Sequence, residues 1–183
     1  MKKGIALIVI FILTLPLIAG GMVSALSYTP SIYLSFPHFE DELPSRTSLS
    51  HTITLEAIGY QSDRWSVGTY LPVQIVSPSL AWGSYQARGF SSVGLGARFS
   101  YHLDEDFILF GNGGITFNRY RAIEWAFLSF WVEAGLEYIM LRTPNAALSA
   151  ILPIAVDLRK EITGLKIGLG LRWTFDPRGG VPQ

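Results

Sequence analysis

The stretch Lys166-Ile-Gly-Leu-Gly-Leu-Arg-Trp-Thr-Phe175 decides the fold that this sequence predicts. Every second residue from Ile167 to Phe175 is apolar, and the residues between them are glycine, charged or hydroxyl-bearing. Successive side chains of a β-strand point to opposite faces, whereas the apolar residues of a helix recur every three or four positions. The stretch is therefore predicted to be a strand with one apolar face, which packs either against a protein core or against lipid.

The composition is apolar but offers no spanning helix. Hydrophobic residues make up 49% of the 183 residues and charged residues 15%, and the length suits one domain. The 14 basic and 14 acidic residues cancel, so there is no basic surface for nucleic acid. The absence of cysteine excludes disulfides, a thiol nucleophile and an acylated lipoprotein cysteine. Beyond the N-terminus, no charge-free apolar run reaches the roughly 20 residues that a membrane-spanning helix needs.

The N-terminus has the pattern of a secretory signal peptide. Lys2 and Lys3 precede an apolar segment at 5–19, and small residues follow at 20–25. Such a sequence is typically cleaved on export, and we expect the cut after Ala25. The alternative, an uncleaved anchor helix, is disfavoured by the small residues and by a proline within the apolar segment. The predicted divisions are a signal peptide at 1–25, a single domain at 26–175 and a short tail at 176–183.

Seven further segments of the chain alternate as the last one does. The connections between the eight segments run long, short, long, short, moderate, short and moderate along the chain. The sixth segment changes parity, so a β-bulge is expected at 128–130. The predicted strands are 31–36, 49–60, 64–76, 92–103, 107–118, 123–140, 148–158 and 166–175, and the short turns at 61–63, 104–106 and 142–145 share one rim.

Six aromatic residues fall on apolar faces, at strand ends beside the short turns. Aromatic rings favour the interface between membrane and water, and a soluble sandwich has no reason to collect them at one height. We therefore predict an all-β, antiparallel, up-and-down transmembrane barrel of about eight strands, with its apolar faces toward lipid. The predicted girdle consists of Trp65, Tyr101, Phe107, Tyr138, Trp173 and Phe175.

Together, the signal peptide, the alternating strands, the girdle and the last strand resemble the small bacterial outer-membrane β-barrels of the OmpA and OmpX type. The resemblance implies short periplasmic turns, longer extracellular loops and a place in the outer membrane. It also implies that the last strand is recognised by the barrel-assembly machinery, through a polar residue, a glycine and then apolar or aromatic residues. In that class the aromatic residue usually ends the chain, whereas residues 176–183 follow here. The matching residues are Lys166, Gly168, Leu171, Trp173 and Phe175.

Two prolines and the inward charges set conditions on such a barrel. Pro72 and Pro153 interrupt strands in a sheet without a free edge, and we expect both to lie above the hydrocarbon layer. The interior of eight strands is just wide enough for side chains to fill it, and buried charges must pair. We expect a ladder of ion pairs, with Asp157 paired to Lys166 or Arg172; the alternative is a narrow, gated path for ions. The predicted network consists of Glu56, Arg98, Glu133, Glu137, Asp157, Lys166 and Arg172, with Tyr70 and His102 on the same face.

An enzyme is the minority interpretation. Some barrels that this chain resembles are lipid A deacylases or palmitoyl transferases, which use Ser, His and an acidic residue. Ser50 and His51 are neighbours on a strand and point to opposite faces, so neither activates the other, and no catalytic residue is predicted. No residues have metal-ligand spacing, and no metal or cofactor is expected. The residues considered were His38, Glu40, Asp41, Ser48, Ser50 and His51.

The predicted protein is thus a monomeric outer-membrane barrel that contacts lipid and has a structural or adhesive role. An extracellular ligand is expected at its longer loops, near Trp82, Tyr85 and Phe90. The alternative from another class is a soluble, lipocalin-like carrier with its apolar residues inside. The polar face, rich in glycine and serine and sparse in charge, makes a poor water-facing exterior for such a carrier.

Overall fold

The computed structural model of the protein describes residues 24–37, 46–78, 89–120, 128–159 and 162–175. Within these ranges the chain forms nine antiparallel strands in a single sheet. The same ranges hold no helix long and apolar enough to cross a membrane. The strands are β1 (Ala25–Pro37), β2 (Arg46–Gln61), β3 (Trp65–Val76), β4 (Phe90–His102), β5 (Phe107–Tyr120), β6 (Leu128–Thr143), β7 (Ala146–Leu158), β8 (Ile162–Gly168) and β9 (Gly170–Phe175).

The sheet closes on itself as a barrel. β1 pairs with β2 on one side and with both β8 and β9 on the other, and β8 and β9 also both pair with β7. β8 and β9 are therefore the two halves of one barrel strand, and the predicted closed antiparallel barrel of eight strands is confirmed. Following paired residues once around the barrel from Ala25 leads back to β1 at Ser35. A stagger of this kind tilts the strands by roughly 35–45° to the barrel axis.

Prolines mark the places where the hydrogen-bond ladder is interrupted. The pairing of β1 skips from Tyr28 to Ser31 beside the break at Leu169, and Pro30 lies in the gap. On the other side of the break, the pairing of β7 skips over Pro153. Since proline has no N–H to donate, a sheet without edges accommodates it by a local break. Leu169 N still donates to Pro30 O at 3.2 Å.

Pro72 causes a third interruption, between β3 and β4. The side chains of Pro72 and Pro153 are buried in the barrel interior, while their neighbours Leu71, Leu152 and Ile154 are exposed on the apolar exterior. Both prolines therefore lie at the height of the apolar outer wall. The expectation that they lie above the hydrocarbon layer is wrong.

Three strand predictions need correction. The first strand is not confined to 31–36 but occupies Ala25–Pro37, because its inward Ser and Thr residues continue the alternation toward the N-terminus. Leu128 to Phe130 pair in continuous register with β5, so the bulge predicted there is absent; the register shift in β6 lies at Ile139 and Leu141. The predicted residues 123–127 of this strand lie outside the described residues. Arg119, predicted in a connection, belongs to β5.

The barrel is apolar outside and polar inside. Ile167, Leu169 and Leu171 are 46%, 64% and 51% exposed, and exposed leucine, isoleucine, valine and phenylalanine residues cover the other strands in the same way. The buried residues include many serines and threonines and most of the charged residues of the strands. A water-soluble carrier would have the opposite arrangement, so the apolar face of the last strand meets lipid and not a protein core.

Candidate functional site in the barrel interior

Four charged residues form a ring across the interior near the short-turn end. Arg98 Nη2 lies 2.7 Å from Glu137 Oε2, and Arg98 Nη1 lies 3.4 Å from Glu56 Oε1. Arg172 completes the ring, with Nη2 at 2.7 Å from Glu56 Oε2 and Nη1 at 2.9 Å from Glu137 Oε1. Each arginine therefore bridges both glutamates, and the four charges cancel.

The ring residues come from β2, β4, β6 and β9, at inward positions of the alternating pattern. All four are at most 6% exposed. Removing one member of a buried ion pair costs about 3–5 kcal/mol, because the remaining charge stays buried without compensation. The Arg98 guanidinium also lies 4.2 Å from the centre of the Phe110 ring, which fills the space beside it.

A second cluster centres on Glu133. Lys166 Nζ lies 3.1 Å from Glu133 Oε2, Asn112 Nδ2 donates to Glu133 Oε1 at 2.7 Å, and Tyr70 OH donates to the same oxygen at 3.1 Å. Thr54 Oγ1 in turn donates to Tyr70 OH at 3.2 Å. Both carboxylate oxygens are thus satisfied by side chains from three other strands, and Thr54 extends the cluster to a fourth, which ties the walls of the barrel together.

Two aromatic rings fill the section beside this cluster. Tyr70 on β3 and Trp131 on β6 meet across the interior, with ring centres 5.2 Å apart. The strands between them, β4 and β5, carry Gly96 and Gly114 at the paired inward positions. A Cβ on Gly96 would lie 3.0 Å from Trp131 Cζ2, so the missing side chains make room for the rings.

A third cluster occupies the long-loop end. Arg159 Nε donates to Asp157 Oδ2 at 2.8 Å, and Tyr33 OH donates to the same oxygen at 3.2 Å. The Arg159 guanidinium lies 3.8 Å from the centre of the Phe90 ring, and Tyr33, Phe90 and Val76 form a buried apolar group. The predicted pairing of Asp157 with Lys166 or Arg172 is wrong, because those cations reach Glu133 and the charge ring instead.

The short-turn end holds a cavity of about 880 Å³ that leads to the charge ring. Glu137 and Arg172 line its inner part, and His102, Arg142 and Glu105 line it nearer the turns. Its lining therefore mixes both signs of charge. Within the described ranges, no three His, Asp or Glu side chains come together as they would around a metal ion.

The six residues of the predicted aromatic girdle lie at this same end. Trp65 pairs with Tyr101, and Phe107 pairs with Tyr138 at a ring distance of 5.0 Å. Trp173 and Phe175 stack at 6.1 Å. Sequence reasoning missed Tyr60, whose ring lies 4.8 Å from that of Trp65 and whose exposure is 56%. The register shift between Ile58 and Tyr60 hides it from a strict period of two.

The serine and histidine considered for catalysis point to opposite faces. Ser50 is fully buried and its Oγ accepts a hydrogen bond from Gln74 Nε2 at 2.8 Å. His51 is exposed on the outer wall, where Tyr28 OH lies 2.8 Å from its Nδ1. Ser48 is buried inward. The other candidates, His38, Glu40 and Asp41, lie outside the described residues.

The loop aromatics and the terminal strand can be placed in part. Phe90 is 8% exposed inside the barrel mouth, which corrects its prediction as part of an outer binding patch; Trp82 and Tyr85 lie outside the described residues. Along the last strand, Leu171 and Trp173 face outward, Gly168 is buried, Lys166 reaches Glu133 and Phe175 ends β9.

No family model and no curated protein matches the chain. Solved structures match over most of their length. Neisserial surface protein A has 15% identity and a TM-score of 0.60, and the match covers 82% of this chain and 96% of that protein's chain. Ail, the attachment invasion locus protein of Yersinia pestis, has 15% identity and a TM-score of 0.44, and the match covers 81% of this chain and 97% of that protein's chain. The outer-membrane enzyme PagL has 11% identity and a TM-score of 0.47, and the match covers 80% of this chain and 97% of that protein's chain.

The chain folds as a small bacterial outer-membrane β-barrel. The whole eight-stranded barrel of neisserial surface protein A has its counterpart here, and the predicted fold class is confirmed. At these levels of identity the likeness concerns the fold alone. The apolar exterior fits it, because strands that cross the outer membrane alternate between lipid-facing apolar and inward polar residues.

Proposed function

We propose that this protein is a monomeric, closed outer-membrane barrel with a structural or adhesive role, carried by its longer extracellular loops. The observation that supports closure is the filling of the interior at three levels: the charge ring, the Tyr70–Trp131 layer and the Arg159–Phe90 group. An eight-stranded barrel filled in this way has no continuous aqueous channel. Its chemistry then lies on its surfaces, namely the lipid-facing wall and the loops.

The first test concerns the membrane location and the folded barrel. Cells that express the full chain are fractionated, and the protein is run on gels with and without boiling. We expect the protein in the outer-membrane fraction and a different migration before and after boiling, since a closed barrel resists detergent until heated. Recovery in the soluble periplasmic fraction without a heat-dependent shift would contradict the proposal.

The second test separates a plug from a pore. The cavity of about 880 Å³ at the short-turn end is the observation that favours a narrow path for ions as a second candidate. We expect no steady current when the purified protein is inserted into a planar bilayer. A steady open channel would favour the pore and contradict the closed barrel.

The third test concerns the loops. Cells that display the full chain are compared with cells displaying a variant in which 38–45 and 79–88 are replaced by Asn-Gly turns, using cultured epithelial cells as the binding surface. An adhesive role predicts several-fold weaker attachment of the variant, provided that its heat-dependent gel shift is unchanged. Equal attachment of both would leave only the structural role.

A fourth test concerns the enzyme. Deacylation of lipid A by the purified protein, if it is lost in Ser50→Ala, would support an enzyme instead of a structural or adhesive barrel.

A further inference from the structure

The barrel holds the residues at the start of its first strand from both sides. Ala25 pairs with Glu56 of β2 and with Thr174 of β9, and its side chain is fully buried. Ser24 precedes it at the short-turn end. Both residues therefore belong to the closed sheet, at the seam where the first and last strands of the barrel meet.

Ser24 forms hydrogen bonds to both neighbouring strands. Its N–H donates to Glu56 O at 2.7 Å, and its Oγ accepts a hydrogen bond from Ile58 N at 3.1 Å. On the other side, Phe175 N donates to Ser24 O at 2.7 Å. Since Phe175 is the last residue of β9, Ser24 joins the two ends of the barrel at the short-turn rim.

Removal of the predicted signal peptide by a cut after Ala25 would break this seam. The N–H groups of Ile58 and Phe175 would lose the partners that Ser24 provides. A charged α-amine would also stand at Leu26, whose side chain faces the apolar exterior. A membrane barrel pairs its backbone groups between strands, so this fold favours a mature chain that keeps Ser24 and Ala25.

The sequence offers a second cleavage position that meets this condition. Removal of a signal peptide requires small residues at the last and third-last positions of the leader, as in the pattern Ala-x-Ala. Ala19-Gly20-Gly21 has a small residue at both positions, whereas Val23-Ser24-Ala25 has a valine at the first of them. Cuts after 19, 20, 22 or 23 would each place a large apolar residue at one of the two positions.

We propose that the signal peptide is cut between Gly21 and Met22, so that the mature chain begins at Met22. Hydrolysis of this peptide bond consumes one water and leaves a carboxylate on Gly21 and an α-amine on Met22. The cut lies ahead of Ser24 and leaves every hydrogen bond of the seam intact. This processing site rests on the predicted signal peptide and does not depend on the proposed adhesive role.

The direct test is N-terminal sequencing of the protein, purified from the outer-membrane fraction of cells that express the full chain. We expect Met22 as the first residue. A chain that begins at Leu26 would overturn the proposal and place the cut after Ala25. A chain that still begins at Met1 would overturn it as well, because the leader would then be retained.

Two leader variants separate the two cleavage positions without relying on folding. Gly21→Leu places a large residue directly before the proposed cut, and we expect the precursor to accumulate several-fold in pulse-labelled cells. Val23→Glu is the matched control, because it disrupts the third-last position only for a cut after Ala25. We expect this variant to be processed as the wild type is. The reverse pattern, with the precursor accumulating only in Val23→Glu, would overturn the proposal.

A pair of deletions tests the role of the seam itself. In one variant residues 22–25 are deleted, so that the chain begins at Leu26 after the proposed cut; in the control only residues 22–23 are deleted, and Ser24 is kept. We expect the folded gel band of the larger deletion to disappear at a lower temperature than that of the control. Equal temperatures would show that Ser24 and Ala25 do not hold the barrel closed, and would remove the basis of the proposal.

Discussion

At the scale of single residues, two adjacent glycines of β5 should respond differently to the same change. A Cβ on Gly114 would collide with the backbone at Leu95 O and with the Gly96 Cα at 2.5 Å. A Cβ on Gly113 would meet only Trp131 O, at an ordinary 3.7 Å. The glycine requirement is therefore confined to the inward position, where β4 and β5 approach beneath the Tyr70 and Trp131 rings.

We expect Gly114→Ala to lower the free energy of unfolding by about 1–3 kcal/mol, because overpacking against a backbone atom forces the strands apart. The matched control Gly113→Ala should change it by no more than about 0.5 kcal/mol. Urea unfolding in lipid vesicles, followed by tryptophan fluorescence, measures both. Equal effects of the two substitutions would show that the inward packing does not require glycine.

The outer wall carries one polar pair among apolar neighbours. Tyr28 and His51 stack with ring centres 6.1 Å apart and planes 9° apart, and the tyrosine hydroxyl lies 2.8 Å from His51 Nδ1. Leu49 and Ile53 flank the histidine, at 45% and 50% exposure. A polar group that faces hydrocarbon needs an internal partner, because lipid offers none.

We expect Tyr28→Phe to destabilise the barrel by about 1 kcal/mol through the unpaired His51 nitrogen. The double variant Tyr28→Phe/His51→Leu should recover this loss, since both polar groups are then gone. Tyr138→Phe serves as the control. Its hydroxyl lies at the girdle, where water can form hydrogen bonds with it in place of a protein group, so we expect little change in stability. A double variant no more stable than Tyr28→Phe would mean that the hydrogen bond contributes nothing.

The charge network illustrates what sequence predicts at this scale. Alternation predicted seven inward charges, because strand parity depends only on local sequence, but it missed Arg159, an eighth interior charge among the described residues. It did not identify their partners: Asp157 pairs with Arg159, which the sequence placed in a connection, and Lys166 crosses to Glu133. Pairing depends on register between strands and on side-chain reach, and neither is encoded locally.

At the scale of elements, the same limit explains the broken last strand. The sequence predicts a continuous strand from Lys166 to Phe175, whereas the ladder breaks at Leu169. The cause lies in Pro30 and Pro153, which belong to the two neighbouring strands. A strand's own residues cannot reveal an interruption that its neighbours impose.

The turns, by contrast, depend on local residues and can be tested locally. In the hairpin between β4 and β5, Asp104 Oδ1 accepts hydrogen bonds from Asp106 N at 2.9 Å and Phe107 N at 2.7 Å. Such a carboxylate holds the backbone of a tight turn. We expect Asp104→Ala to cost about 1 kcal/mol of stability, and Asp104→Asn, which keeps the acceptor oxygen, to stay close to wild type. Chemical unfolding of the three proteins measures this, and equal losses in both variants would point to charge rather than hydrogen bonding.

At the scale of the whole molecule, the interior is filled by more than ion pairs. The charge ring lies nearest the short-turn cavity, the Tyr70–Trp131 layer lies beyond it, and Tyr33, Phe90 and Arg159 fill the long-loop end. The double variant Arg98→Ala/Glu137→Ala removes one cation and one anion together. It leaves Glu56 paired with Arg172, so no net charge is stranded in the interior.

We therefore expect this double variant to fold and to remain without a steady current in planar bilayers, because the aromatic layer still blocks the path. A further Trp131→Ala substitution removes the largest ring of that layer and should increase brief openings, although the Tyr33–Phe90 group still limits them. The heat-dependent gel shift controls for folding in each protein. A steady channel in the double variant alone would show that the four charges are the whole barrier, and that the aromatic rings fill space without closing it.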